Sequence, residues 1–182
     1  MKRVVLWQRV DTFGMEYAEI EFDPVRIEGE VILIEGDAPF AVSYQVKCDD
    51  MGMTSRALVR LKHAGTRSDR ILARTSAGTW TLDGARMPEL DGIPDIDLSV
   101  TPSTNTPPIR RLGLSVGQRA EVTALWVRFP TFEIDQLRQS YRRVSASRYE
   151  YESPALNFRT ELECDNDGIV RTYGDLWACI PQ

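Results

Sequence analysis

Apolar and polar residues alternate with period two along much of this 182-residue chain, the spacing of strands with one buried face. Between Phe40 and Asp49, one face takes Phe40, Val42, Tyr44, Val46 and Cys48, and the other takes Ala41, Ser43, Gln45, Lys47 and Asp49. Phe158–Asp165 repeats the pattern, with Phe158, Thr160, Leu162 and Cys164 opposite Arg159, Glu161, Glu163 and Asp165. Val25–Ile34 starts the same way and becomes apolar on both faces from Val31. Ala120–Phe129 also carries apolar side chains on both faces, which predicts a strand covered on both sides. Further strands are predicted at Val4–Gln8, Met15–Phe22, Thr54–Lys62, Arg70–Thr75, Trp80–Leu82, Phe132–Val144, Arg148–Tyr151 and Ile169–Tyr173.

Turn chemistry separates these runs. Asp83-Gly84 and Asn166-Asp167-Gly168 supply positive φ angles, and Asp91-Gly92, Gly36-Asp37 and Ala77-Gly78 add breaks. One short helix is predicted near residues 107–112: Thr106 caps it, Pro107 suits the first helical position and Gly113 the left-handed exit. Linkers and low-complexity tracts are lacking. The expectation is therefore one all-β domain over residues 1–182, a large antiparallel sheet curled into a roll, an open barrel or a sandwich. Tyr44-Gln45-Val46-Lys47-Cys48-Asp49 is weakly echoed by Thr160-Glu161-Leu162-Glu163-Cys164-Asp165, a similarity that two like strands explain as well as duplication does.

Composition narrows the chemistry. A net charge of −5 argues against a general nucleic-acid binder. No apolar run approaches bilayer-spanning length and charge returns at Arg9, so neither an integral membrane protein nor a secretory signal is expected. Cys48, Cys164 and Cys179 include no CxxC pair, so neither a metal site nor a cofactor is expected, and a cytoplasmic location is the simplest expectation. The single histidine, His63, is expected to be an ordinary strand-end residue.

The most informative stretch is Asp95–Leu112. Two carboxylates, Asp95 and Asp97, precede a run of Ser, Thr, Asn and Pro, and Arg110 and Arg111 follow on the short helix. One reading is a structural plug, with Asp97 paired to Arg110 or Arg111 and the short polar side chains stapling the loop. The other is a polar wall facing a ligand, with Asn105 and Arg110 donating to a sugar or phosphate.

This stretch, above all Thr101-Pro102-Ser103-Thr104-Asn105-Thr106 with Pro108-Ile109-Arg110-Arg111-Leu112, resembles the signature of the putative glycolipid-binding family of bacterial proteins. Trp7-Gln8-Arg9 with Gly14-Met15-Glu16, Ile27-Glu28-Gly29, Tyr44–Asp49 and Trp80–Gly84 are similar to its earlier blocks. Trp126–Pro130, Gln139-Ser140-Tyr141 and Asp167–Tyr173 are similar to its later ones, so the resemblance spans essentially the whole chain in order. The family's aromatic residue after Cys-Asp is replaced by Asp50-Met51-Gly52-Met53, its Asn-Thr-Leu-Pro by Asn105–Pro108, and its Leu-Asp-Gly-Cys by Leu90–Ile93. The resemblance implies a spiral β-roll, likened to lipoprotein carriers whose curled sheets hold acyl chains.

Three functions are consistent with these features. The first is a non-catalytic binding module for a glycolipid or other amphiphile with a fatty-acyl chain, with a homo-oligomer as a further expectation. Its ligand-binding candidates are Trp7, Glu16, Asp97, Asn105, Arg110, Arg111, Trp126 and Tyr141. The second is an enzyme using Glu16, Asp95 or Asp97 as acid–base groups with Arg110 or Arg111 stabilising charge, Asp95 and Asp97 sharing a face where like charges repel. The third is a protein-interaction scaffold.

Overall fold

The structure is a computed structural model describing residues 1–36 and 38–181. Among the described residues, fifteen strands form one sheet that is not closed into a barrel. The first half is an antiparallel meander: β1 (Lys2–Arg9), β2 (Gly14–Glu21), β3 (Arg26–Glu35), β4 (Ala38–Cys48), β5 (Thr54–His63), β6 (Thr66–Arg74), β7 (Trp80–Leu82) and β8 (Ala85–Arg86). Next come β9 (Asp95–Leu98), α1 (Thr106–Leu112) and β10 (Arg119–Val127). The chain then returns through β11 (Ile134–Arg143), β12 (Arg148–Ser153), β13 (Phe158–Cys164), β14 (Val170–Tyr173) and β15 (Trp177–Cys179). β15 pairs with β1, so the first and last strands form the seam and β8 and β9 become the two edges. β9 runs parallel to β10, the one parallel pair, because α1 carries the chain back across before β10 starts.

The sheet curls so that β9 and β10 are covered on both faces. Ile96, Leu98, Leu125, Val127 and Phe129 join the larger core with Val5, Ile20, Val31, Leu72 and Trp80 of the first half. On the other side, Ala120 and Val122 pack against a second core of Tyr141, Tyr149, Tyr151 and Leu162. The two-sided apolar pattern of Ala120–Phe129 thus has its predicted meaning. Alternation also places β1–β7 and β11–β14 within a few residues of expectation. β8 and β15 were too short to show a period. The strand predicted from Phe132 begins at Ile134, because Phe132 adopts φ 62° and its amide donates to the Arg128 carbonyl. Asp83 and Gly84 both have positive φ, as their hairpin requires. Asp37 of the Gly36-Asp37 break lies outside the described residues.

α1 ends at Gly113 in the left-handed conformation, as predicted. Its start differs. A 3₁₀ turn at Ser103–Asn105 leads straight into the helix, and the Thr106 hydroxyl is buried without a hydrogen bond rather than capping. Every residue from Thr101 to Ile109 is buried, unusual for a connection.

The strand echo marks two matching loops. Asp49 Oδ1 accepts from the amides of Met51 and Met53, and Asp165 Oδ1 from those of Asp167 and Ile169, all at 3.0 Å. Each follows a bulge before a buried cysteine, and each loop turns at a glycine of φ near 80°, Gly52 (77°) and Gly168 (80°). Consecutive arginines of α1 lie over these glycines: a Cβ on Gly52 would sit 3.4 Å from Arg111 Cβ, and one on Gly168 3.1 Å from Arg110 Cγ.

The expected pairing of Asp97 with Arg110 or Arg111 is replaced. Arg111 pairs with Asp95, whose side chain is 2% exposed. Arg110 sits over the Phe22 ring at 4.4 Å and donates to the Asp167 carbonyl at 3.0 Å. Asp95 and Asp97 sit two positions apart on β9, opposite Ala124 and Trp126 of β10, and Asp97 accepts from Gln139 instead. Arg111→Met should therefore cost about 3–5 kcal/mol by leaving a buried carboxylate unpaired. Arg110→Met should cost no more than about 1 kcal/mol. Urea unfolding of both variants and of Asp95→Asn/Arg111→Met checks this, with the double variant expected to recover much of the loss.

Candidate functional site

Inward positions of β2 are Gly14, Glu16, Ala18 and Ile20, so Glu16 is a carboxyl on an otherwise small and apolar face. It is fully buried. Its Oε1 accepts from the Thr101 hydroxyl at 2.6 Å and from the Tyr44 phenol, while Oε2 has no partner. Ser103 Oγ completes the cluster, 2.6 Å from the Tyr44 oxygen and 2.8 Å from Thr101 Oγ1. Tyr44 reaches this point by lying across Gly29, its neighbour on β3, where any Cβ would overlap the phenol ring. Burial pushes the Glu16 carboxyl up to about 8, against the hydrogen bonds from Thr101 and Tyr44.

Thr101 is also in the wall of a pocket of about 190 Å³ between β9–β10 and the strands β12–β15. Asp97, Asn105 and Leu137 line it together with five aromatic side chains, Trp126, Tyr151, Phe158, Tyr173 and Trp177. Alternation in β12 puts Tyr149, Tyr151 and Ser153 on one face, and the Tyr151 ring stands 5.8 Å from Tyr173 and 6.1 Å from Phe158. Tyr141 supports the wall from behind, donating to Asn105 Oδ1 at 2.8 Å, and Asn105 Nδ2 donates to the Pro102 carbonyl at 3.1 Å. Arg9, also in the lining, lies over the Trp177 ring at 5.2 Å and is paired with Asp11 at 2.5 Å.

Asp97 dominates the electrostatics. Gln139 Nε2 donates to its Oδ2, and among the described residues no cation pairs with it, since Arg111 and Arg110 are engaged elsewhere. Burial raises its carboxyl to about 6, with Gln139 opposing. Burial first, and then the Asp97 charge, push the phenols of Tyr151, Tyr173 and Tyr141 well above the ordinary range, so all three stay protonated donors. The like-charge repulsion expected between Asp95 and Asp97 is not the main cause of either shift. Burial is, and Asp95 is pulled back by Arg111.

Of the residues expected to bind ligand, Asp97, Asn105 and Trp126 line this pocket and Tyr141 buttresses it. Glu16 is one hydrogen bond away, through Thr101. Trp7 is elsewhere: fully buried, it donates from Nε1 to the Val170 carbonyl at 2.7 Å, tying β1 to β14 beside the seam. Arg110 and Arg111 do not line the pocket, so the Asp97/Arg110 pair of the enzymatic alternative is not formed. Gln139, Tyr151, Phe158, Tyr173 and Trp177 escaped the sequence argument. Only the tyrosine alternation in β12 hinted at them. His63 packs edge-on against Phe40 at the end of β5, outside this pocket. Among the described residues no His, Cys, Asp and Glu cluster could hold a metal ion, and no helix is long and apolar enough to cross a membrane.

The Glu16 shift has a definite sign. The folded protein keeps a proton that the unfolded chain releases, so stability should fall as pH rises from about 4.5 to about 8. The slope approaches about 1.4 kcal/mol per pH unit for one proton. Glu16→Gln removes this proton, and its unfolding free energy should be flatter over the same window. Equal slopes for the two proteins in chemical denaturation across that range would contradict the assignment.

The sequence profile of the family described as putative glycolipid-binding matches residues 4–179. The fold is similar to the crystal structure of a DUF1089 family protein from Pseudomonas aeruginosa, with a TM-score of 0.84 and 32% identity over 91% of each chain. No curated protein matches the chain. Matched by the profile over nearly its whole length and sharing this fold, the chain belongs to the putative glycolipid-binding family.

Proposed function

We propose that this protein is a binding module for a glycolipid and that the Asp97 pocket receives the sugar head group. The observation that carries this reading is one carboxylate, without a cationic partner among the described residues, in the wall of a pocket that five aromatic rings also line. Sugar rings offer apolar C–H faces, which suit flat aromatic walls, and hydroxyl edges, which need a few placed acceptors and donors. Asp97 accepts strongly from hydroxyls, and protonated Tyr151 and Tyr173 phenols donate. Asn105, already held by Tyr141 and Pro102, adds rigidity rather than adaptability. The family description supports the same ligand class.

Asp97→Asn separates binding from bracing. Affinity for alkyl glycosides, measured by titration calorimetry at neutral pH, should fall about ten- to a hundredfold with loss of the charged acceptor. Stability should move the other way. The carboxyl's folded value is raised to about 6, so its burden on the fold grows as pH rises from about 4 to 6 and persists above. The variant should therefore be the more stable protein at neutral pH, with the difference vanishing in acid. Unchanged glycoside affinity in a folded variant would remove the pocket from the proposal.

A further inference from the structure

We infer that the pocket takes one sugar ring and leaves the alkyl chain outside the protein, so that this chain recognises a head group and does not sequester the lipid. The inference rests on the sugar reading above. Size is the first ground. The pocket holds about 190 Å³. A cavity of roughly 150 Å³ accommodates one benzene ring, and clefts for larger ligands run to about 300–1,000 Å³. One six-membered ring fills the space available.

The closed floor is the second ground. Leu98 is fully buried, Leu137 is 3% exposed and Asn105 is 5% exposed, and Tyr141 behind Asn105 is 1% exposed. Beneath Leu98 lies the larger core, packed with Ile96, Leu125 and Val127. An acyl chain would have to displace this core to go deeper, because protein interiors pack at crystal-like density.

The third ground is the placing of polar groups. Asp97 lines the pocket beside Asn105 and Thr101, which are 5% and 6% exposed, and a tail entering first would lay hydrocarbon over a carboxylate that has one amide donor and no cation among the described residues. The head group must therefore enter first. A chain attached to the ring then leads back to solvent past Leu156, which is 47% exposed.

Methyl and octyl glycosides of glucose, galactose and mannose test this as matched pairs, titrated into the full-length protein below the octyl compounds' micellar concentrations. Each methylene that left water would raise affinity about fourfold. A swallowed octyl chain would thus gain on the order of ten-thousandfold over methyl. The inference expects at least one sugar to bind, with the octyl member within about threefold of the methyl member, and Asp97→Asn to weaken both equally. An octyl preference above about thirtyfold for the same sugar overturns the inference and leaves glycolipid binding standing. Equal binding of octyl glycosides and octanoate, or no binding by any pair, overturns both the sugar reading and the inference.

Discussion

The burial of β9 on both faces is the constraint on which the rest of this structure depends. Ile96 and Leu98 put one face of β9 into the larger core, and the opposite face carries Asp95, 1% exposed, and the half-buried Asp97, two charges that need partners. The two carboxylates resolve this differently. Asp95 is matched by Arg111, which fixes α1 against the sheet. Asp97 has only the Gln139 amide and remains poised beside the aromatic pocket. One carboxylate braces the fold, and the other is left with bonding capacity for something that enters the pocket.

The same enclosure explains the buried segment between β9 and α1. A connection running through the interior must satisfy its own polar groups, and this one does so with short side chains. Thr101 and Ser103 bond each other, Tyr44 and Glu16, while Asn105 bonds Pro102 and Tyr141. The segment therefore has two sides. One side is stitched to β2 and β4, and the other is presented to the pocket. Rigidity on the first side is what would hold the second in place for a ligand.

α1 connects the halves of the molecule more directly. Its consecutive arginines lie over the two glycine turns that follow Cys48-Asp49 and Cys164-Asp165, so seven residues of helix touch equivalent loops from both halves. The weak sequence echo between those strands is thus matched by geometry: the same bulge, the same aspartate-anchored loop and the same docking of an arginine stem. Ile109 anchors the helix in the tyrosine core beneath.

Much of the strand layout was legible in the sequence because period-two burial is a local consequence of the pleat. Phe40–Asp49 and Ala120–Phe129 carried that signal residue by residue, and Gly113 announced the helix end through its backbone freedom alone. Asp97, Asn105 and Trp126 stood out by their company in the segment or by type. Their assembly with Tyr151, Phe158, Tyr173 and Trp177 could not be foreseen, since those residues come from strands that meet only when β15 returns to β1 and the sheet coils over β9. Nor could the choice between Asp95 and Asp97 as partner of Arg111. By itself the sequence determined which residues face inward, because alternation depends on neighbours in the chain. Only the tertiary structure decided which inward residues meet, because that depends on how far the sheet curls before its edge is buried.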